Sequence, residues 1–82
     1  MTDSPTDILA AVTQIVAEEA GVDTALVTPD SRFTEDLDID SLGLLTIATQ
    51  VEERFGITLD DALIPTLTTV GALVDLVGRN KR

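Results

Sequence analysis

Leu44, Ile47, Ala48, Val51 and Phe55 recur at the three- and four-residue spacings that put apolar side chains on one face of a helix. Leu42 and Leu45 widen that stripe. Asp40 or Asp38 stands before it as a capping residue, and Gly56 follows Phe55 as a stop. This is the strongest helix in the chain, and everything else must supply a surface for it to bury against.

The remaining pattern supplies that surface in helical form. Ser4-Pro5-Thr6-Asp7 reads as a helix start, with Ser4 as N-cap, Pro5 at the first helical position and Asp7 near the positive end of the dipole. Ile8, Leu9, Val12, Ile15 and Val16 then form an apolar stripe that ends near Ala20, with Gly21 as a left-handed stop. Residues 22–40 form a long connection containing the turn-like cluster Thr28-Pro29-Asp30-Ser31. Structureless loops beyond about 12–15 residues are uncommon unless functional or pinned, and Leu26, Val27, Phe33 and Leu37 are the expected pins.

Between Asp60 and Ile64 there is room for about one helical turn, which Pro65 should end. Thr68 or Thr69 then caps a last helix carrying Val70, Leu73, Val74 and Val77. The expected fold is all-α, a small four-helix bundle of three main helices plus one short helix, with a long loop between helices one and two. The chain should form a single domain over residues 1–82, ordered from about 5 to 78, with Leu44, Ile47, Val51, Leu63, Leu67, Val70 and Val74 in its core.

Composition narrows the function. The chain has neither cysteine nor histidine, so thiolate metal sites, disulfides and the usual general base near neutral pH are unavailable. The net charge of −10 disfavours nucleic acid and anionic membranes and favours basic protein surfaces. Residues 1–5 lack the start of a signal peptide, and no apolar run approaches the ~20 residues of a membrane span, so the expected location is the cytoplasm. The default oligomeric state is a monomer.

The stretch Glu35-Asp36-Leu37-Asp38-Ile39-Asp40-Ser41-Leu42 concentrates four carboxylates before a hydroxyl. Asp36, Asp38 and Asp40 match the first, third and fifth positions of a calcium loop. The sharp-turn glycine and the closing bidentate glutamate are replaced by Ser41 and Ile47. A metal site is therefore not expected. A nucleophilic Ser41 would need a base, yet the only lysine is Lys81 and the Gly-x-Ser-x-Gly elbow is absent. Asp40-Ser41 could also be an ordinary helix start. A third reading is a place where another enzyme attaches something; the long acidic loop, the serine at the head of the most amphipathic helix and the lack of catalytic side chains are the context that raises this Asp-Ser-Leu above an ordinary helix start.

In that context Asp40-Ser41-Leu42 resembles the motif of the acyl carrier proteins. Phe33-Thr34-Glu35-Asp36-Leu37, Val51-Glu52-Glu53-Arg54-Phe55-Gly56-Ile57 and Thr68-Thr69-Val70 extend the similarity from about Asp7 to Val77. The resemblance implies that Ser41, flanked by Asp40 and Leu42, carries a covalent 4'-phosphopantetheine derived from coenzyme A, whose thiol holds acyl groups as thioesters. It implies a non-catalytic carrier with Asp36, Asp38, Asp40, Leu42, Leu45, Glu52 and Glu53 as its docking residues. The implied partners are a phosphopantetheinyl transferase and a ketosynthase, acyltransferase or acyl-activating ligase with basic docking surfaces. It also implies a core that opens to shelter a short acyl chain.

The chain departs from carriers of primary fatty-acid synthesis at several positions. Those carriers usually have an acid directly after the Ser-Leu pair and another three positions later, where this chain has Gly43 and Thr46. Ala62-Leu63-Ile64-Pro65 replaces a commonly acidic segment. These changes favour a dedicated carrier of polyketide or other specialised acyl biosynthesis, with primary fatty-acid synthesis as the alternative. Peptidyl carriers usually place Gly-Gly and His or Asp before the serine, whereas Asp38-Ile39-Asp40 precedes it here. Outside the carriers, the rival is an unmodified acidic helical interaction domain.

Overall fold

The computed structural model describes residues 5–80, so the expected cap at Ser4 lies outside the described residues. Among them are three α-helices, α1 (Pro5–Ala20), α2 (Ser41–Phe55) and α3 (Val70–Asn80), two 3-10 helices (Thr24–Leu26 and Ile64–Thr66) and no strand. The architecture is all-α, as the periodicity predicts, but it is a bundle of three α-helices and not four.

The short helix differs because of where Pro65 sits. Asp60 forms a turn instead of a helix, its carbonyl accepting from the Leu63 N–H at 2.9 Å and its carboxylate from the Ala62 N–H at 2.9 Å. The 3-10 helix then starts at Ile64 with Pro65 in its first turn. Proline fits there because its missing N–H would have no intrahelical partner. The turn leaves Leu63 43% exposed and seats Ile64 in the core, so Leu63 is not a core residue.

Both long helices end where their glycines allow. Gly21 and Gly56 adopt φ of 72° and 66°, the left-handed conformation that costs a side-chain-bearing residue most. α3 continues through Gly78 to Asn80, past Val77, the last residue that the apolar pattern placed in it. The Asn80 amide donates to the Leu76 carbonyl at 2.8 Å in its last turn. Thr69 supplies the other end, accepting from the Ala72 N–H at 3.1 Å.

α1 packs against both α3 and α2, and the Ile64–Thr66 segment lies against α2. Ile47, Val51, Val12, Val16, Val70, Leu73 and Val77 are fully buried where these helices meet, and Phe33 from the long loop is the only aromatic fully buried with them. Leu67 and Val74 pack against this core half-buried.

The long loop is fastened at its middle. The Gly71 N–H donates to the Pro29 carbonyl at 2.8 Å, the Val70 N–H to the Ser31 carbonyl at 3.0 Å, and the Phe33 N–H to the Thr68 carbonyl at 3.1 Å. Loop carbonyls thus satisfy N–H groups at the head of α3 that have no intrahelical partner. The predicted turn forms, with the Ser31 N–H donating to the Thr28 carbonyl at 3.0 Å and the buried Ser31 hydroxyl accepting from the Thr28 N–H at 3.0 Å. Val27, Phe33 and Leu37 are buried pins as expected, but Leu26 is 66% exposed and Ile39 takes its place. Leu26 faces outward because it ends the 3-10 helix Thr24–Leu26, none of whose residues is buried.

Candidate functional site

The sequence after the turn builds the approach to Ser41 residue by residue. The Arg32 N–H donates to the Asp36 carboxylate at 2.9 Å, and the Arg32 carbonyl accepts from Asp36 and Leu37 N–H groups at 3.0 and 3.1 Å. An isolated bridge pairs Arg32 with Thr69. Asp38 then takes a positive φ of 54°, a conformation that aspartate tolerates better than most residues. The bend turns Ile39 inward to 5% exposure, and its N–H donates to the Phe33 carbonyl at 2.7 Å. The next two residues emerge at the surface.

Asp40 is the N-cap of α2, as one of the two sequence alternatives had it. Its carboxylate accepts from the Gly43 N–H at 2.8 Å, and its carbonyl accepts from Leu44 at 2.9 Å. Ser41 is therefore the first residue of α2, exposed, and among the described residues its hydroxyl makes no hydrogen bond. Positive dipole and free N–H groups at a helix start favour an anion placed there.

Behind Asp40, Gly43 makes a close approach. A Cβ at Gly43 would lie 2.8 Å from Ile39 Cγ2 and 3.4 Å from Asp40 Oδ1. The missing side chain lets Ile39 seat against the first turn of α2, so the glycine serves packing within the chain.

A cleft of about 460 Å³ includes Ser41 in its lining, with Arg32, Thr34, Glu35, Ile39 and Asp40 from the loop, Leu44 from α2, and Pro65, Leu67 and Thr68 from the segment before α3. Sequence reasoning placed Leu44 and Leu67 in the core, named Asp40 beside the serine, and did not bring Arg32, Thr34, Pro65 and Thr68 to it. Arg32 carried one usable signal, as a lone base in an acidic stretch. It ion-pairs with Glu35, and the hydrogen bond to Glu35 together with the charges of Glu35 and Asp36 raises its pKa further. It is cationic at any working pH.

The expected docking residues lie on two neighbouring surfaces. Asp36, Asp38 and Asp40 are exposed on the loop, and Glu53 is exposed on α2. Leu42 is 73% and Leu45 44% exposed, so they do not widen the core stripe but stand out from it. Glu52 is half-buried and its carboxylate accepts from the Leu59 N–H at 2.7 Å, fastening the segment after α2. Among the described residues no group of His, Cys, Asp or Glu has the arrangement to hold a metal ion, and no helix is long and apolar enough to cross a membrane.

The family described as the phosphopantetheine attachment site matches residues 10–77. The acyl carrier protein of Myxococcus xanthus is 45% identical over 90% of this chain and 94% of its own length. That of Beutenbergia cavernae is 46% identical over 94% of both chains, and that of Micrococcus luteus is 45% identical over 90% of this chain and 91% of its own.

Proposed function

The chain belongs to the acyl carrier proteins and carries a covalently attached 4'-phosphopantetheine, and from that premise we propose that Ser41 is the residue to which it is attached. One observation carries the assignment: Ser41 is an exposed, unbonded hydroxyl at the first position of α2, held there by the Asp40 cap. When bound, the group supplies a thiol that carries acyl chains as thioesters.

The residues present fit such a group. The Ser41 hydroxyl is open to an incoming enzyme, the helix start favours the phosphodiester, and the cleft is lined by both polar and apolar residues, Thr34 and Thr68 with Ile39 and Leu44. The chain itself is non-catalytic. It has no histidine or cysteine to activate Ser41, so the attacking hydroxyl must lose its proton to a base of the modifying enzyme. Peptide mapping after modification tests the site: an adduct on the peptide containing Ser41 is expected, and an adduct elsewhere refutes the assignment.

Acyl carrier proteins work with partner enzymes such as transferases and synthases. Docking is assigned to Leu42 and Leu45 as the apolar contact and to Asp36, Asp38, Asp40 and Glu53 as the charged rim. Glu52 contributes charge while holding the Leu59 N–H. Apolar anchors within a complementary charged rim give both affinity and orientation. The partners fitting this surface are a phosphopantetheinyl transferase and a ketosynthase, acyltransferase or acyl-activating ligase with basic faces.

The pathway is assigned to specialised acyl biosynthesis, such as polyketide formation. Gly43 and Thr46 support this, because acids at both positions are usual in primary fatty-acid carriers. A Cβ at Gly43 would come 2.8 Å from Ile39 Cγ2, so an acid there would require the Ile39 side chain to shift. Replacement of the host's fatty-acid carrier by this protein tests the assignment. Failure to restore growth, with the protein modified and folded, is the expected result, and full restoration contradicts it.

A further inference from the structure

The surface around Ser41 poses an electrostatic problem. A phosphodiester on its hydroxyl would sit beside Asp40 and share a cleft with Glu35, in a chain of net charge −10. Helix-start N–H groups offer some compensation, but the carboxylates work against it. Among the described residues the only base lining that cleft is Arg32.

Arg32 is built for a fixed position. Its backbone is held on three sides, by the Asp36 carboxylate, by Asp36 and Leu37 N–H groups and by the bridge to Thr69. None of these uses its side chain. A guanidinium presents five N–H donors in a planar fork. Among the described residues Arg32 spends one donor group, Nη1, on Glu35. Glu35, itself a lining residue of the cleft, holds Nη1, and among the described residues the other guanidinium donors have no side-chain or backbone acceptor.

We propose that Arg32 is the cationic contact for an anion tethered at Ser41, with Glu35 as the residue that positions it. This rests on Ser41 being the attachment residue. The tethered anion is the phosphodiester of the arm or the free carboxylate of a dicarboxylic acyl cargo folded back into the cleft. Both present two oxygens to the fork. The phosphodiester is favoured because it joins directly to the serine that lines the cleft.

Nitrogen-15 NMR of the Arg32 Nε–H group tests this on the full chain in four forms: unmodified, and modified with coenzyme A, acetyl-coenzyme A or malonyl-coenzyme A. Mass spectrometry checks each form first, and Arg32→Gln supplies the resonance assignment and a phosphorus-31 comparison. A displaced Arg32 resonance in all three modified forms is expected, with Arg54 and Arg79 unmoved and the phosphorus signal shifted in the Arg32→Gln protein. Displacement only in the malonyl form supports the proposal with the cargo carboxylate as the anion. An unmoved Arg32 resonance in every modified form overturns it while leaving Ser41 as the attachment residue. Absence of any adduct overturns both. Arg32→Gln should fold, since the backbone bonds at Arg32 remain.

Discussion

At the scale of single residues, Gly43 is the position whose meaning the pattern concealed. A glycine inside a helix costs roughly 0.5–1 kcal/mol against alanine, and in sequence it reads only as a soft spot or a place for a partner's backbone. The structure instead shows Ile39 occupying the space. Gly43→Ala should therefore lower stability by about 1 kcal/mol, because the overpacking exceeds the helix gain. Gly78→Ala, where a Cβ meets nothing within 4 Å, should raise it by about 0.5–1 kcal/mol. Urea denaturation of both checks the contrast. In an Ile39→Ala background the same Gly43→Ala change should become stabilising, since the two sites are in contact and non-additive. Ser41 and Asp40 were legible because capping chemistry is local. Arg32 and Ile39 were not, because their relation to Ser41 arises only when the loop folds back.

At the scale of elements, the three α-helices and their glycine stops were readable from spacing and end residues. The short helix was misplaced because Pro65 was taken as an end when it sits in a first turn. Leu63 and Ile64 exchange core and surface as a result, a one-residue shift that spacing could not resolve. α2 depends on its cap: Asp40→Ala should cost about 1 kcal/mol, with Asp40→Asn largely retaining stability, measured by thermal unfolding. The loop depends on α3 through the contact at Gly71, where a Cβ would come 3.0 Å from the Pro29 carbonyl oxygen. Gly71→Val should speed amide hydrogen exchange at Val70 and Phe33, which donate to or from that clamp, while leaving Val51 in α2 protected. Equal loss of protection at all three would mean that the clamp is not a separable unit.

At the scale of the whole molecule, the proposed docking surface divides recognition between charge and exposed leucines. Five of the carboxylates, those of Glu35, Asp36, Asp38, Asp40 and Glu53, are exposed on the loop and α2, and they should steer basic partners toward Ser41. Raising ionic strength from about 0.05 M to about 0.3 M should slow association with a phosphopantetheinyl transferase by roughly an order of magnitude. Leu42→Asp should weaken the complex without restoring affinity at low salt, because it removes the apolar anchor. Stopped-flow binding separates the two effects. The most direct measurement is the intact mass of the chain after incubation with coenzyme A, magnesium and a broad phosphopantetheinyl transferase, beside Ser41→Ala. One added phosphopantetheine on the natural chain and none on the variant is the expected result; an adduct on the folded variant, or none on either protein, would contradict Ser41 as the attachment residue.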